Sequence, residues 1–253
     1  MRKLKPIKLK NILFNSPIIQ GPLAGYSCSA FRDLIWQYSS PAFCYTEMLP
    51  AQQLCNENGL INRFTHKSKY EGFLCYQLSG NNPSILAHAT SLAINLGADC
   101  IDLNAGCPKK KIRKKGHGSA ILEDVELLYK CLVAMRNITN KPIILKMRID
   151  IDILKSIDVV NAAHQANIDA IVVHGRSWKD DYNINCQWEK VALIPKHKPI
   201  IINGDLDNIE SINRALEISS THHIMISRAS MGQPNLINSI LNNTKIENNL
   251  YKS

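Results

Sequence analysis

The sequence predicts an α/β fold, a single-domain (β/α)8 barrel. Two observations lead there. Eight short runs rich in β-branched residues recur along the chain, each nearly continuous in apolar residues, as strands covered on both faces of a parallel sheet require. Amphipathic helical patterns lie between them, and 253 residues is the size of one such barrel.

Taken in order, the strand runs are Pro17-Ile18-Ile19-Gln20, Phe43-Cys44-Tyr45-Thr46, Phe73-Leu74-Cys75-Tyr76-Gln77 and Cys100-Ile101-Asp102-Leu103-Asn104. They continue with Ile143-Ile144-Leu145-Lys146-Met147, Ala170-Ile171-Val172-Val173-His174, Pro199-Ile200-Ile201-Ile202-Asn203 and His223-Ile224-Met225-Ile226-Ser227. Helices are expected over residues 29–37, 83–96, 123–137, 153–166, 209–218 and 235–241. The second starts on Pro83-Ser84 and stops before Gly97, and the third opens on acids that suit the helix dipole. An open doubly wound sheet would usually need a G-x-G-x-x-G loop after its first strand, and Gly21-Pro22-Leu23-Ala24-Gly25 is not one. The organisation expected is a basic N-terminal segment over 1–16, a barrel over 17–243 and a short tail over 244–253.

Charge is unevenly placed. Thirty Lys and Arg against 21 Asp and Glu give a formal net charge of +9. Five cations fall within residues 1–10 and six within residues 109–115; outside these segments 19 basic residues face 21 acidic ones. Drift towards lysine-rich composition would spread lysines evenly, so both segments, and residues 109–115 above all, are candidates for polyanion contact. No apolar run reaches the roughly 18 residues of a membrane span, and charges interrupt any signal-peptide core. The eight cysteines form no C-x-x-C pair and no regular framework, so reduced thiols, no metal site and a cytoplasmic protein are expected. Nothing in the sequence specifies an oligomer, and a monomer is the expected state.

In a (β/α)8 barrel the active site lies at the C-terminal ends of the strands. That rule selects the stretch from Gln20 to Ala24, Glu47, Gln77, Asn104 with Cys107, Lys146 with Arg148, His174 with Arg176, the stretch from Asn203 to Asp205, and Ser227 with Arg228. Packing alone would need only apolar side chains there. Cys107 leaves its strand between Gly106 and Pro108, where a thiol can serve as nucleophile or general acid; most lone cysteines are simply small buried hydrophobes. Lys146 could stabilise a developing anion or could be a snorkelling surface lysine. His174 could serve the site or be a satisfied core histidine. Asn203-Gly204-Asp205 could be plain turn chemistry, but with Arg228 one strand later it fits the place where barrels hold a phosphate.

Together these segments resemble the tRNA-dihydrouridine synthases, a family of flavin-dependent (β/α)8 barrels. The matching stretches, in family order, are Gly21-Pro22-Leu23-Ala24-Gly25 with Phe31-Arg32, Thr46-Glu47-Met48, Gln77-Leu78-Ser79-Gly80 and Asn104-Ala105-Gly106-Cys107-Pro108. Lys111, Gly118-Ser119-Ala120, Lys146-Met147-Arg148, His174-Gly175-Arg176, Asn203-Gly204-Asp205 and Ser227-Arg228 follow. The resemblance implies FMN as cofactor and NADPH as reductant. Pro22, Leu23 and Ala24 would line the flavin ring, Gln77 and Lys146 would bond its polar edge, and His174 would sit beside ring and substrate. Asn203, Gly204, Asp205, Ser227 and Arg228 would hold the FMN phosphate. Asn104 would read the uracil edge, Arg176 would contact substrate, and Cys107 would donate a proton. Lys109, Lys110, Lys114 and Lys115 lie where RNA phosphates should run.

The sequence departs from the family at several points. Leu23 stands where Met is more usual, Ser27-Cys28 replaces Thr-Asp, and Ser227 replaces a Gly, adding a side chain to the phosphate loop. Only 19 residues follow Pro234, too few for the family's helical RNA-binding domain, so a shortened form is expected. The function implied is reduction of a tRNA uridine to 5,6-dihydrouridine. The alternatives are an FMN-dependent barrel oxidoreductase acting on a small enone or pyrimidine, which would need no cationic rim, and a non-catalytic RNA-binding barrel, which would be colourless.

Overall fold

The computed structural model describes residues 4–57 and 62–244. After an antiparallel hairpin of β1 (Ile7–Leu9) and β2 (Ile12–Phe14) come eight parallel strands. These are β3 (Ile18–Gln20), β4 (Cys44–Pro50), β5 (Leu74–Ser79), β6 (Cys100–Ala105), β7 (Ile143–Arg148), β8 (Ala170–His174), β9 (Ile200–Asn203) and β10 (His223–Ile226). Each pairs with the next and β10 returns to β3, closing the barrel. Every expected strand run is one of these strands. The architecture is the (β/α)8 barrel.

The expected helices are present as α1 (Ser29–Tyr38), α3 (Pro83–Asn95), α5 (Val125–Ile138), α6 (Ile153–Gln165), α8 (Ile209–Ser219) and α9 (Leu236–Leu241). Three short helices within connections were not foreseen: α2 (Ala51–Asn56), α4 (Lys110–Arg113) and α7 (Trp188–Ala192). Side-chain caps set several starts. Asn82 accepts the Ile85 N–H ahead of Pro83, Asp124 accepts that of Leu127, and Asn208 forms a reciprocal box with Ser211. Asp124 therefore begins α5, and Glu123 belongs to the 3-10 turn before it.

Period-two alternation along each strand sorts the core into two layers. Outward residues such as Ile101, Leu103, Leu145, Val173 and Ile202 pack against the helices. Inward residues Ile19, Tyr45, Cys75, Cys100, Ile144, Val172, Ile201 and Met225 fill the barrel with Ile7, Leu9 and Phe14 of the hairpin. The hairpin is thus a plug. Phe14 meets the rings of Phe43 and Phe73 at 5.0 Å each, the Lys5 N–H donates to the His222 carbonyl, and His223 Nδ1 lies 3.0 Å from the Lys5 carbonyl oxygen. Burying each large apolar side chain of the plug contributes about 1.5–3 kcal/mol.

These contacts involve the N-terminal ends of the strands, so the plug closes the barrel face opposite the strands' C-terminal ends. Lys5 and Lys8 point to solvent there, while residues 109–115 follow the C-terminal end of β6. Lys5 and Lys8 therefore lie at the opposite end of the barrel from residues 109–115. Met1, Arg2 and Lys3, and the tail from 245 on, lie outside the described residues.

Candidate active site

Along the barrel interior the residues change character from bottom to top. Two positions beyond Cys75, Cys100, Ile144, Val172 and Ile201 on the same faces come Gln77, Asp102, Lys146, His174 and Asn203, with Asn104 one step higher. The strand register makes neighbours of them: Gln77 pairs with Asp102, Asn104 with Lys146, Arg148 with His174, and His174 with Asn203.

A hydrogen-bonded chain crosses the first half of this ring. Gln77 Nε2 donates to Asp102 Oδ2 at 2.7 Å, and Asn104 Nδ2 donates to Gln77 Oε1 at 2.8 Å. Asn104 Oδ1 then accepts the backbone N–H groups of Gly106 (3.2 Å) and Cys107 (3.0 Å). Asp102 is fully buried, which pushes its carboxyl well above the usual range against the hydrogen bond from Gln77 and the charge of Lys146. Asp102 escaped the sequence reading, although its spacing of two from Asn104 puts both on the inner face.

Cys107 sits half-buried on the rim. Its carbonyl accepts the Ser119 N–H at 3.0 Å and the Ser119 hydroxyl at 3.1 Å, and Arg148 Nε donates to the Gly106 carbonyl at 3.0 Å. Gly118, at φ +60°, has no room for a side chain: a Cβ there would lie 2.6 Å from the Cys107 carbonyl oxygen. The thiol thus stands on a backbone held from several directions.

On the other half of the ring Lys146 Nζ donates to the neutral Asn203 Oδ1 at 3.0 Å, and Asn203 Nδ2 donates to the Met225 carbonyl at 2.8 Å. Burial lowers the Lys146 ammonium to about 8, with Asp102 opposing and Arg148 assisting. Burial, then the cations Lys146, Arg148, Arg176 and Arg228, hold His174 well below its ordinary value, so it is a neutral imidazole near pH 7. Gly204, at φ +108°, packs so closely that a Cβ would lie 2.6 Å from both His174 and Cys186. The Ser227 hydroxyl lies 3.4 Å from Asn203 Nδ2, and it fills space beside Gly21, where a Cβ would meet it at 2.4 Å.

Pro22, Leu23 and Ala24 form the turn after β3. The Leu23 N–H donates to the Ser27 hydroxyl at 2.8 Å, and the Leu23 carbonyl receives the N–H groups of Tyr26 and Ser27. Glu47 Oε2 accepts the Gly25 N–H at 2.6 Å, tying this turn to β4. Ser27 supplies the hydroxyl this geometry needs. Cys28, by contrast, leaves the start of α1 without a side-chain cap.

Arg176, expected to contact substrate, is 2% exposed, and its guanidinium is held by its own loop and by the loop after β9. It pairs with Asp205 at 2.8 Å and donates to the carbonyls of Ile184 and Tyr182 and to the Cys186 sulfur. Asp205 Oδ2 also accepts the Cys186 N–H, so its carboxylate is occupied. Arg228 is exposed and stacks on the Tyr182 ring at 3.8 Å. Lys109, Lys110, Lys111, Lys114 and Lys115 all point to solvent along the Cys107 rim.

A dihydrouridine synthase family model matches residues 19–252, nearly the whole barrel. The chain belongs to the dihydrouridine synthase family. It is 30% identical over 243 residues to a probable tRNA-dihydrouridine synthase 1 of Synechocystis, covering 93% of this chain and 67% of that one. It is 30% identical over 237 residues to tRNA-dihydrouridine synthase B of Shewanella oneidensis, covering 92% and 71%, and 33% identical over 222 residues to the Pseudomonas aeruginosa enzyme of the same name, covering 86% and 66%. An old yellow enzyme homologue from Zymomonas mobilis superposes with a TM-score of 0.66 at 13% identity, over 96% of this chain and 94% of that one, and shares the fold. As a dihydrouridine synthase family member the protein is a flavin-dependent oxidoreductase. No described helix is long and apolar enough to cross a membrane, and no described His, Cys, Asp and Glu residues cluster as a metal site.

Proposed function

We propose that this protein reduces a uridine of tRNA to 5,6-dihydrouridine, with FMN as cofactor and NADPH as reductant. The observation that carries the reading is Cys107, braced on the rim by Asn104 and flanked on the same rim by five exposed lysines. The names of the relatives support it, since each is a tRNA-dihydrouridine synthase.

The residues present suit a flavin. Lys146 is a partly buried cation whose hydrogen bond goes to a neutral amide, which leaves its charge for an electron-rich ring edge. Gly204 is a turn that only glycine fits and brings backbone close to the mouth. Pro22, Leu23 and Ala24 would line the ring, Gln77 and Lys146 would bond its polar edge, and His174 would lie beside it. Asn203, Gly204, Asp205, Ser227 and Arg228 would hold the phosphate, Asp205 through its backbone because its carboxylate is taken by Arg176. When bound and reduced by NADPH, FMN supplies hydride for C6 of the uracil.

The chain's own residues do the rest. The Cys107 thiol gives its proton to C5 as the C5=C6 double bond is lost, and the thiolate left behind regains a proton from solvent. General acid help of this kind is worth roughly 10²–10⁴-fold. Asn104 has one amide hydrogen on Gln77 and a second for the uracil edge. Unstacking the target uridine costs a few kcal/mol, and the exposed lysines offset that cost through the tRNA phosphates. The free thiols and a tRNA substrate fit a cytoplasmic enzyme.

Flavin reoxidation tests the reading. The purified protein is reduced without oxygen, mixed with unmodified tRNA transcript and followed by flavin absorbance. Fast tRNA-dependent reoxidation with dihydrouridine in the product is expected. A yellow protein indifferent to tRNA but reoxidised by a small enone or free pyrimidine would overturn the RNA assignment, and a colourless one would overturn the flavin.

A further inference from the structure

Residues 109–115 hold six cations, and five of them point freely to solvent. Arg113 differs. Its side chain is 15% exposed, and its guanidinium has three partners. The group lies over the Trp178 ring, with Cζ 3.6 Å from the centroid. Nη1 donates to the Ser119 hydroxyl at 2.9 Å, and Nη2 is ion-paired with Glu123. The Ser119 hydroxyl in turn donates to the Cys107 carbonyl at 3.1 Å.

We propose that Arg113 is a positioning residue for Cys107, acting through Ser119 and anchored on Trp178, and that the cation run is divided between one internal brace and five phosphate-facing lysines. The proposal deepens the function above and rests on it. Trp178 follows Ser177 in the loop after β8, and the Ser177 carbonyl accepts Arg148 Nη1 at 2.8 Å while Arg148 Nε holds the Gly106 carbonyl. Two arginines therefore bridge the loop carrying Cys107 to the loop after β8. Arg148 does so by holding Gly106, the residue before the thiol, and Arg113 by holding Ser119, which bonds the thiol's own carbonyl.

A short four-residue helix gives little rigidity of its own, because one turn of helix is a costly nucleus with few internal bonds. The planar guanidinium can stack, ion-pair and donate at once, whereas an ammonium is a point charge on a flexible stem and lacks the rigid fork that spans these sites together. Displacing the loop by about 1 Å would move the thiol away from C5, an error that costs on the order of 100-fold in rate.

The test compares Arg113→Lys, Arg113→Ala and Trp178→Phe with the parent, each as the flavin-loaded protein. Single-turnover reduction of tRNA, the salt dependence of tRNA binding and the iodoacetamide labelling rate of Cys107, read by peptide mass, are measured. Cys28 and Cys55 serve as internal controls for general loosening. Arg113→Lys and Arg113→Ala should both slow reduction about tenfold or more, leave the salt slope unchanged and alter Cys107 labelling several-fold with Cys28 and Cys55 unaffected. Trp178→Phe, which keeps a ring face, should stay close to the parent.

A phosphate-contact role would give the opposite result: Arg113→Lys like the parent, and Arg113→Ala with a salt slope shallower by about 1. That pattern, or unaltered Cys107 labelling, overturns the proposal. If Arg113→Ala labels at all three cysteines and so loosens the whole fold, Arg113→Lys decides. The labelling readout needs no tRNA, so failure of the brace is distinguishable from failure of the uridine assignment.

Discussion

The side-chain oxygen of Asn104 accepts the backbone N–H of Cys107 at 3.0 Å while its amide donates to Gln77. One residue thereby joins the thiol's loop to the buried polar chain that ends at Asp102. Asn104→Ala should slow single-turnover reduction roughly ten- to hundred-fold while flavin stays bound. Asn104→Asp keeps the acceptor for the loop and loses the amide hydrogens, so it should retain native Cys107 labelling and show the larger defect in substrate affinity. Labelling and single-turnover rates measured on both variants check the division.

Cys107→Ala should retain flavin and its reduction by NADPH but lose roughly 10²–10⁴-fold in uridine reduction. Rapid-mixing absorbance measures the two half-reactions separately. Unchanged turnover in the second would remove the acid role.

Replacing Lys109, Lys110, Lys114 and Lys115 together by Ala should weaken tRNA binding and make the slope of log affinity against log salt shallower by about 3, if each lysine meets one phosphate. All four are exposed and carry no ion pair among the described residues, so the fold should be unaffected. Binding measured across a salt series decides.

The pH dependence of flavin binding should report Lys146. Its folded value of about 8 lies below the ordinary 10.5, chiefly through burial. The ammonium is charged below pH 8 and neutral above it, and only the charged form offers a cation to the ring. Flavin affinity should therefore fall as pH rises through about 8, and Lys146→Met should bind more weakly with no such step. Equilibrium titration between pH 6.5 and 9.5 shows which holds.

Cys28 begins α1 with extended backbone and no side-chain cap. Cys28→Asp should stabilise the protein by about 1 kcal/mol, seen as a raised denaturation midpoint with an unchanged slope.

The eight strands were legible because each is a dense apolar run, and burial on both faces demands one. The plug was not, because Ile7-Lys8-Leu9 and Ile12-Leu13-Phe14 are only three residues each, one interrupted by Lys8 and the other carrying an exposed Leu13, so neither reads as a buried run. Position at the top of the barrel was equally readable for Asn104, Lys146, His174 and Asn203. Strand ends say which rim a residue reaches, however, not which way its side chain turns. Arg176 turns into the loop that returns through Tyr182, Ile184 and Cys186, and only the folded course of that loop reveals it. Arg113 hid likewise within a run of lysines, since its partner Trp178 is 65 residues away in sequence.

The plug also sets an order on biosynthesis. Ile7, Leu9 and Phe14 leave the ribosome early, yet the wall that encloses them is complete only once His223–Ile226 has emerged. At about 5–20 residues per second, these side chains wait roughly 10–40 s for their final neighbours. The nascent chain spends that interval with its stopper made and its bottle unfinished, so a part made before the wall is among the last to be sealed.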